Sequence, residues 1–234
     1  MYRLSKRLGV TLAVILSICS ISGCSSQDKT AVQETAQTFM AIVASDSEED
    51  INKYATSEVA NGDFVQLFDA DTLVSQFSDG IDEYELTEDS KNELDTFASL
   101  FSDMIKSYSV SDIRLDKKDD THTASAVVTF KTSFAMDIIG SASVSNKISD
   151  AIEVYNADHA DEIAALYEEG NDVAEAKIYN DMLEIILGIY EDEIQNSQEM
   201  TYAIVLDLEK NNETDSWIVT GVNDYDSSSA ESSK

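Results

Sequence analysis

Residues 123–136 read TASAVVTFKTSFAM. Ala124, Ala126, Val128, Phe130, Thr132, Phe134 and Met136 alternate with Thr123, Ser125, Val127, Thr129, Lys131 and Ser133. A period of two predicts a long strand with one buried face, because successive side chains of a strand point to opposite sides of its sheet. Residues 109–115 can form a strand too, and the polar run 116–120 (DKKDD) between the two predicts the turn of an antiparallel hairpin. A second hairpin follows downstream. Tyr202, Ile204, Leu206 and Leu208 alternate with Ala203, Val205, Asp207 and Glu209, residues 210–215 supply the turn, and 217–222 return.

Outside the hairpins the period lengthens to three and four, which marks amphipathic helices. Val32, Ala36, Phe39, Met40 and Val43 predict a first helix from near Thr30 to before Asp46. Ser47-Glu48-Glu49-Asp50 has the form of a capping box. It would open a shorter helix carrying Ile51, Tyr54, Ala55 and Val59, ended by Asn61-Gly62. Phe64, Val65, Leu67, Phe68, Leu73, Val74 and Phe77 suggest short helical pieces up to a break at Asp79-Gly80. The clearest helix starts within 87–89 and carries Leu94, Phe97, Ala98, Phe101, Met104, Ile105 and Tyr108 on one stripe. Between the hairpins, 146–198 reads as an inserted antiparallel helical pair. Ile148, Ile152, Tyr155, His159, Ile163 and Leu166 trace one face of its first helix, 168–171 turn, and 173–194 form its second, with Met182, Ile185, Ile186, Ile189 and Tyr190 as a wide stripe. The expected class is α+β, with N-terminal helices packed on an antiparallel sheet of about four strands and an inserted helical pair, all in one domain over 30–223. The tail 224–234 (DYDSSSAESSK) has almost nothing to bury and is expected to be disordered.

Composition narrows the function. The chain has 234 residues, 46 acids, 15 lysines and arginines, two histidines, two cysteines and no proline, for a net charge of −31. So acidic a body offers no basic face for a phosphate backbone, so nucleic acid is not an expected partner. Two cysteines make neither a disulfide scaffold nor a four-cysteine zinc site. An apolar content of 43% argues against wholesale disorder.

The first 24 residues, MYRLSKRLGVTLAVILSICSISGC, have the layout of a signal peptide. Arg3, Lys6 and Arg7 precede an uncharged apolar core over 8–21, shorter than the roughly 20 residues that span a bilayer. Ile21-Ser22-Gly23-Cys24 resembles the lipobox of bacterial lipoproteins of the Gram-positive type, with Ile21 where leucine is usual. The resemblance implies that Cys24 is diacylglyceryl-modified, with fatty chains such as palmitate. It also implies that the signal 1–23 is cut between Gly23 and Cys24, and that 24–29 form a lipidated tether on the outer face of the cell membrane. Two or more acyl chains anchor stably where one does not. Cleavage would remove three cations and no acid, taking the net charge from −31 to −34. Anionic headgroups repel such a body, so the lipid must hold it.

The helices-then-hairpins order, the "Tyr-x-Ile-x-Leu-x-Leu … Ser-Trp-Ile-Val" pattern over 202–219 and the lipoprotein signal together resemble small lipoproteins with a nuclear-transport-factor-two-like (cystatin-like) fold. That resemblance implies an N-terminal helix, here 32–43, packed across a curved antiparallel sheet. Enzymatic members use an Asp/His or similar dyad inside the cone, but the inserted helices here could fill or cover a cone-shaped pocket.

Fold does not fix function. His122 sits in a polar turn and His159 on the insertion, so neither lines the sheet in this register; Asp137 is one candidate for a general base, but among 46 acids a single carboxylate carries little information. The acidic runs 46–50, 82–85, 116–120 and 191–193 read as solvated faces, because none matches the spaced calcium loop. Trp217, at the start of a core-facing strand, reads as core rather than a sugar platform. No nucleophile elbow, Walker loop, H-E-x-x-H or dinucleotide fingerprint occurs. The leading expectation is a non-catalytic binding or interaction module with no cofactor and no metal, held at the envelope, with the inserted helices as the surface for an envelope protein or small ligand. The alternatives are a cavity-carboxylate enzyme of the hydrolase or isomerase type and the solute-binding lipoprotein of a transporter.

Overall fold

The alternating segment is strand β2 (Thr121–Thr132) in a computed structural model that describes residues 24–45, 47–78, 86–118, 121–211 and 213–225. It pairs antiparallel with β1 (Ile105–Lys118) on one side and β3 (Met200–Asn211) on the other, and β4 (Ser216–Asp224) completes the order β1-β2-β3-β4. The inward row is apolar as the alternation requires: Ala124, Ala126, Val128 and Phe130 on β2, Ile204, Leu206 and Leu208 on β3, and Trp217 and Val219 on β4 are all buried. Ala126 faces Leu206, Val128 faces Ile204 and Leu208 faces Val219, so the core row is continuous across three strands. β2 stops at Thr132, short of the expected Met136. There the Thr132 hydroxyl donates to the Phe134 carbonyl at 2.6 Å and bends the chain, which still delivers Phe134 into the core.

The two outer strands end differently. β4 is met by an isolated parallel bridge from Ala55, with Thr56 N donating to Val219 O at 2.9 Å and Val219 N to Tyr54 O at 2.7 Å. β1 loses register between Ser111 and Arg114, where Asp112 takes a positive φ of 47°. This is a β-bulge on the outermost strand.

Helix α1 (Cys24–Val43) lies on the sheet against β1, β2 and β4, burying Val32, Ala36, Phe39, Met40 and Val43. Its described part reaches back to Cys24, ahead of the expected start near Thr30, so the segment 24–29 expected as a tether is helical. The Thr30 hydroxyl bonds the Ser26 carbonyl at 3.0 Å, and Asp28 pairs with Lys210 of β3 at 3.0 Å. The expected second helix is broken. Asp50, not Ser47, provides the cap, accepting from Asn52 N at 3.0 Å over a 3-10 turn (Ile51–Lys53). Ala55 leaves helical geometry to bridge β4, and Thr56 recaps a short α2 (Ser57–Ala60). Two more pieces follow, α3 (Asp63–Gln66) and α4 (Ala70–Ser78). The break at Asp79-Gly80 and the acidic run 82–85 lie outside the described residues.

Thr87 caps α5 (Glu88–Ser102), its hydroxyl accepting from Ser90 N at 3.1 Å with Glu88 and Asp89 in the first turn. Leu94, Phe97, Ala98 and Phe101 form its buried stripe. The helix ends at Ser102, so Ile105 and Tyr108 belong to β1 and not to the helical stripe in which the spacing placed them.

The insertion holds three helices rather than a pair: α6 (Ala142–Asp158), α7 (Ala160–Glu169) and α8 (Asn171–Asn196). His159, at φ −107° and ψ 13°, closes α6 and opens α7, which breaks the expected continuous face. Gly170 turns the chain from α7 into α8 at φ 155° and ψ 145°. α8 packs on α5 through Leu183, Leu187 and Tyr190, while α6 and α7 pack chiefly on α8 and form the outermost layer. Lys147 pairs with Glu193, and Tyr155 with Asp181, so α6 and α8 run antiparallel.

The space between sheet and helices is filled by rings. Phe97 stands edge-on to Phe77 and Phe101 at 5.2 Å between centroids, and Phe101 edge-on to Phe134 at 5.1 Å. Phe64 meets Phe68 and Phe130 in the same way, and Phe130 stacks on Tyr202. Asp28, near the described start of α1, is tied to Lys210, at the turn end of β3. The insertion leaves and rejoins the sheet at the other end, where Thr132 pairs with Met200. Ten strand residues, about 33 Å, separate the two ends.

Candidate functional site

Among the described residues Phe130, Phe134, Phe101, Met40 and Met104 pack against the inward face of the sheet, each at near-zero exposure. His122 is on β2 opposite Lys117, near the hairpin turn, and Asp137 is exposed beyond the far end of that strand. His159 sits between α6 and α7. The three are not brought together. Trp217 is buried as core. Thr35 donates to its carbonyl at 3.4 Å, and its indole N–H finds no acceptor among the described residues.

Among the described residues no group of three or more His, Cys, Asp or Glu is arranged to hold a metal ion. Glu193, from one acidic run, pairs with Lys147. Nor is any described helix long and apolar enough to cross a membrane. Cys24 is the first described residue of α1, and Ile21, Ser22 and Gly23 of the lipobox lie outside the described residues. The described chain builds one sheet and one core, so the two-lobed cleft of a transporter receptor has no counterpart there.

One open groove lies on the insertion. The breadth of α8 gives it two working faces. Leu183, Leu187 and Tyr190 face α5, whereas Lys177, Asp181 and Ile185, four residues apart, share a second row toward α6. Where α6 crosses that row, Asp150, Val154, Tyr155, Asp158 and His159 with Ile185 line a shallow groove of about 430 Å³. One wall is a hydrogen-bonded cluster. The Tyr155 hydroxyl donates to Asp181 Oδ2 at 2.6 Å, and Lys177 Nζ reaches both oxygens of the same carboxylate at 2.7 and 2.6 Å. His159 stacks on Tyr155 with centroids 4.6 Å apart, and its Nδ1 lies 2.9 Å from Glu162.

The electrostatics follow from that wiring. Burial would raise the Asp181 carboxyl, but the bonds from Lys177 and Tyr155 and the nearby positive charge outweigh it and hold it below its ordinary range. Burial, then the Asp181 bond and charge, push the Tyr155 phenol far up, so it remains a neutral donor. The Asp181 bond likewise raises Lys177. All three are fixed in the states that favour the cluster. They brace the joint between α6 and α8.

A second hollow, of about 570 Å³, lies where α5 meets the sheet, lined by Ser99, Leu100, Asp103, Lys106, Phe134 and Ile194. Lys106 there spends its ammonium on the Asp103 carbonyl at 3.0 Å.

Reading the sequence placed Tyr155 and His159 on one face and the binding surface on the insertion, but it missed Asp181 and Lys177. Their i,i+4 spacing was the available signal. No family model, curated protein or solved structure matches the chain.

Proposed function

We propose that this protein is a lipid-anchored lipoprotein on the outer face of the cell membrane, acting as a non-catalytic interaction module. Cys24 carries the lipid and the α6–α8 insertion presents the binding surface. The observation that carries this reading is the open, largely apolar groove on the insertion of a molecule whose interior is closed by aromatic rings. A carboxylate enzyme of the expected kind would need a cavity under the sheet, where Phe101, Phe130 and Phe134 stand. The topology favours the same reading, since the insertion joins the sheet at the end away from Asp28 of α1.

Two experiments test it. Cys24→Ser should abolish lipid-dependent processing and release the protein from membranes washed in high salt; normal processing with salt-resistant retention would overturn the anchor. A photo-crosslinking residue at position 154, in the native envelope, should give a discrete adduct that the same residue at Ser111 on β1 does not. Adducts at position 111 and none at position 154 would move the binding surface elsewhere. Excising the insertion is the poorer test, because Leu183, Leu187 and Tyr190 belong to the core.

A further inference from the structure

Asp150, Val154 and Asp158 lie four residues apart along α6, an acid, an aliphatic residue and an acid on one ridge. At 1.5 Å per residue the two carboxylates sit about 12 Å apart along the axis, with Val154 midway. Val154 is 59% exposed, an unusual place for a β-branched apolar side chain within a helix, and Ile185 of α8 extends its apolar surface into the groove. The insertion has the two other exposed large apolar side chains of the helical region, Tyr167 and Val173.

Charge around this ridge is lopsided. Residues 142–196 hold fourteen acids and two lysines. Both lysines are already engaged, Lys147 by Glu193 and Lys177 by Asp181. Asp150 and Asp158 have no cationic partner among the described residues. A surface of this kind attracts cations to its rim and an apolar side chain to its middle.

We infer that the α6–α8 groove receives a basic amphipathic helix of a partner protein. One apolar side chain of that helix rests on Val154 and Ile185, and two lysines or arginines, three or four residues to either side of it, meet Asp150 and Asp158. This rests on the interaction reading above and names the class of partner. A helix suits the site because its own i, i+4 rows repeat at the rise of the α6 ridge and can lie in the groove between α6 and α8. Other occupants fit worse. A second copy would bring carboxylates against carboxylates. Anionic headgroups meet the same repulsion. Residues 226–234 of the chain itself carry no apolar side chain larger than alanine.

The test uses the full chain in detergent and two synthetic helices of about 25 residues, long enough to be helical in water when rich in alanine. One carries Lys-x3-Leu-x3-Lys at its centre, the other Glu-x3-Leu-x3-Glu. Fluorescence anisotropy should show the lysine helix binding at least about tenfold tighter than the glutamate helix, with affinity falling as salt rises. Val154→Asp should weaken the lysine helix by about tenfold or more. The pair Asp150→Asn and Asp158→Asn should weaken it several-fold and flatten its salt dependence, while Glu209→Gln, exposed on β3, should leave it unchanged. Circular dichroism checks that each variant keeps its helices. No binding of the lysine helix, equal binding of both helices, or indifference to Val154→Asp overturns the inference. Should position 154 crosslink to a partner in the envelope while the lysine helix fails to bind, the interaction reading survives and the basic-helix assignment falls.

Discussion

A methyl group added at Gly188 meets no atom within 4 Å, and one added at Gly170 meets none either, yet the two substitutions should act in opposite directions. Gly188 is in the interior of α8, where glycine loses more backbone freedom on folding than alanine. Gly188→Ala should stabilise the protein by about 0.5–1 kcal/mol, read as a higher urea midpoint at unchanged slope. Gly170 sits at φ 155°, which only glycine enters without strain, and Gly170→Ala should destabilise by about 1–3 kcal/mol in the same assay. Asp181 gives a pH-dependent case. Its folded pKa is lowered, so its contribution is complete above the unfolded value of about 3.9 and is lost as pH falls through the folded value. Asp181→Asn should therefore cost about 1 kcal/mol at pH 7, discounted because Lys177 is half exposed, with the difference from wild type closing in acid. Single residues also mark where sequence was hardest to read. Nothing in the period of α6 changes at His159. The only trace of the break is Asp161 and Glu162, acids suited to the first turn of a new helix.

At the level of elements, α5 and α8 run side by side with acids on both. Glu93 of α5 has its carboxyl pushed up, first by partial desolvation and then by the like charges of Glu184, Glu191 and Asp89. A raised acid favours the folded state more as pH falls, because the folded form then binds the extra proton. Glu93→Gln should thus raise the thermal midpoint at pH 7, and the gain should fade as wild type is acidified through the raised pKa of Glu93. A gain that persists unchanged at low pH would mean that charge is not its source. Elements also show why some boundaries were legible. β2 announced itself because one strict alternation matched one buried row. α5 did not announce its end, because Met104, Ile105 and Tyr108 satisfy the helical spacing while 105–110 satisfy a strand equally well. The tertiary contact that decides is Ser133 N donating to Met104 O at 2.9 Å, which pulls the chain to the sheet and joins residues far apart in sequence. Ala55 is similar: its helical neighbours predicted a helix, and the open edge of β4 took it instead.

For the whole molecule the governing quantity is charge. A body at −31, or −34 without its first 23 residues, repels itself when folded. Raising salt from about 0.01 to 0.15 M shortens the Debye length from about 30 to 8 Å and should raise the thermal midpoint, by about 2–4 °C for each kcal/mol of repulsion screened. A falling midpoint would show that the ion pairs of Lys147, Lys177 and Lys210 outweigh that repulsion. The α+β class and the helical insertion could be read from sequence, since periodicity and length report them directly. The groove could not, because it exists only through the angle between α6 and α8, which no local pattern encodes. One feature of the outermost strand then matters beyond a single molecule. Asp112 kinks β1, and Lys106, Arg114, Asp116 and Lys117 dress it with charge. A flat bare border would let neighbouring copies zip together into fibrils; a crooked, charged one denies them a template, so crowding need not end in aggregation.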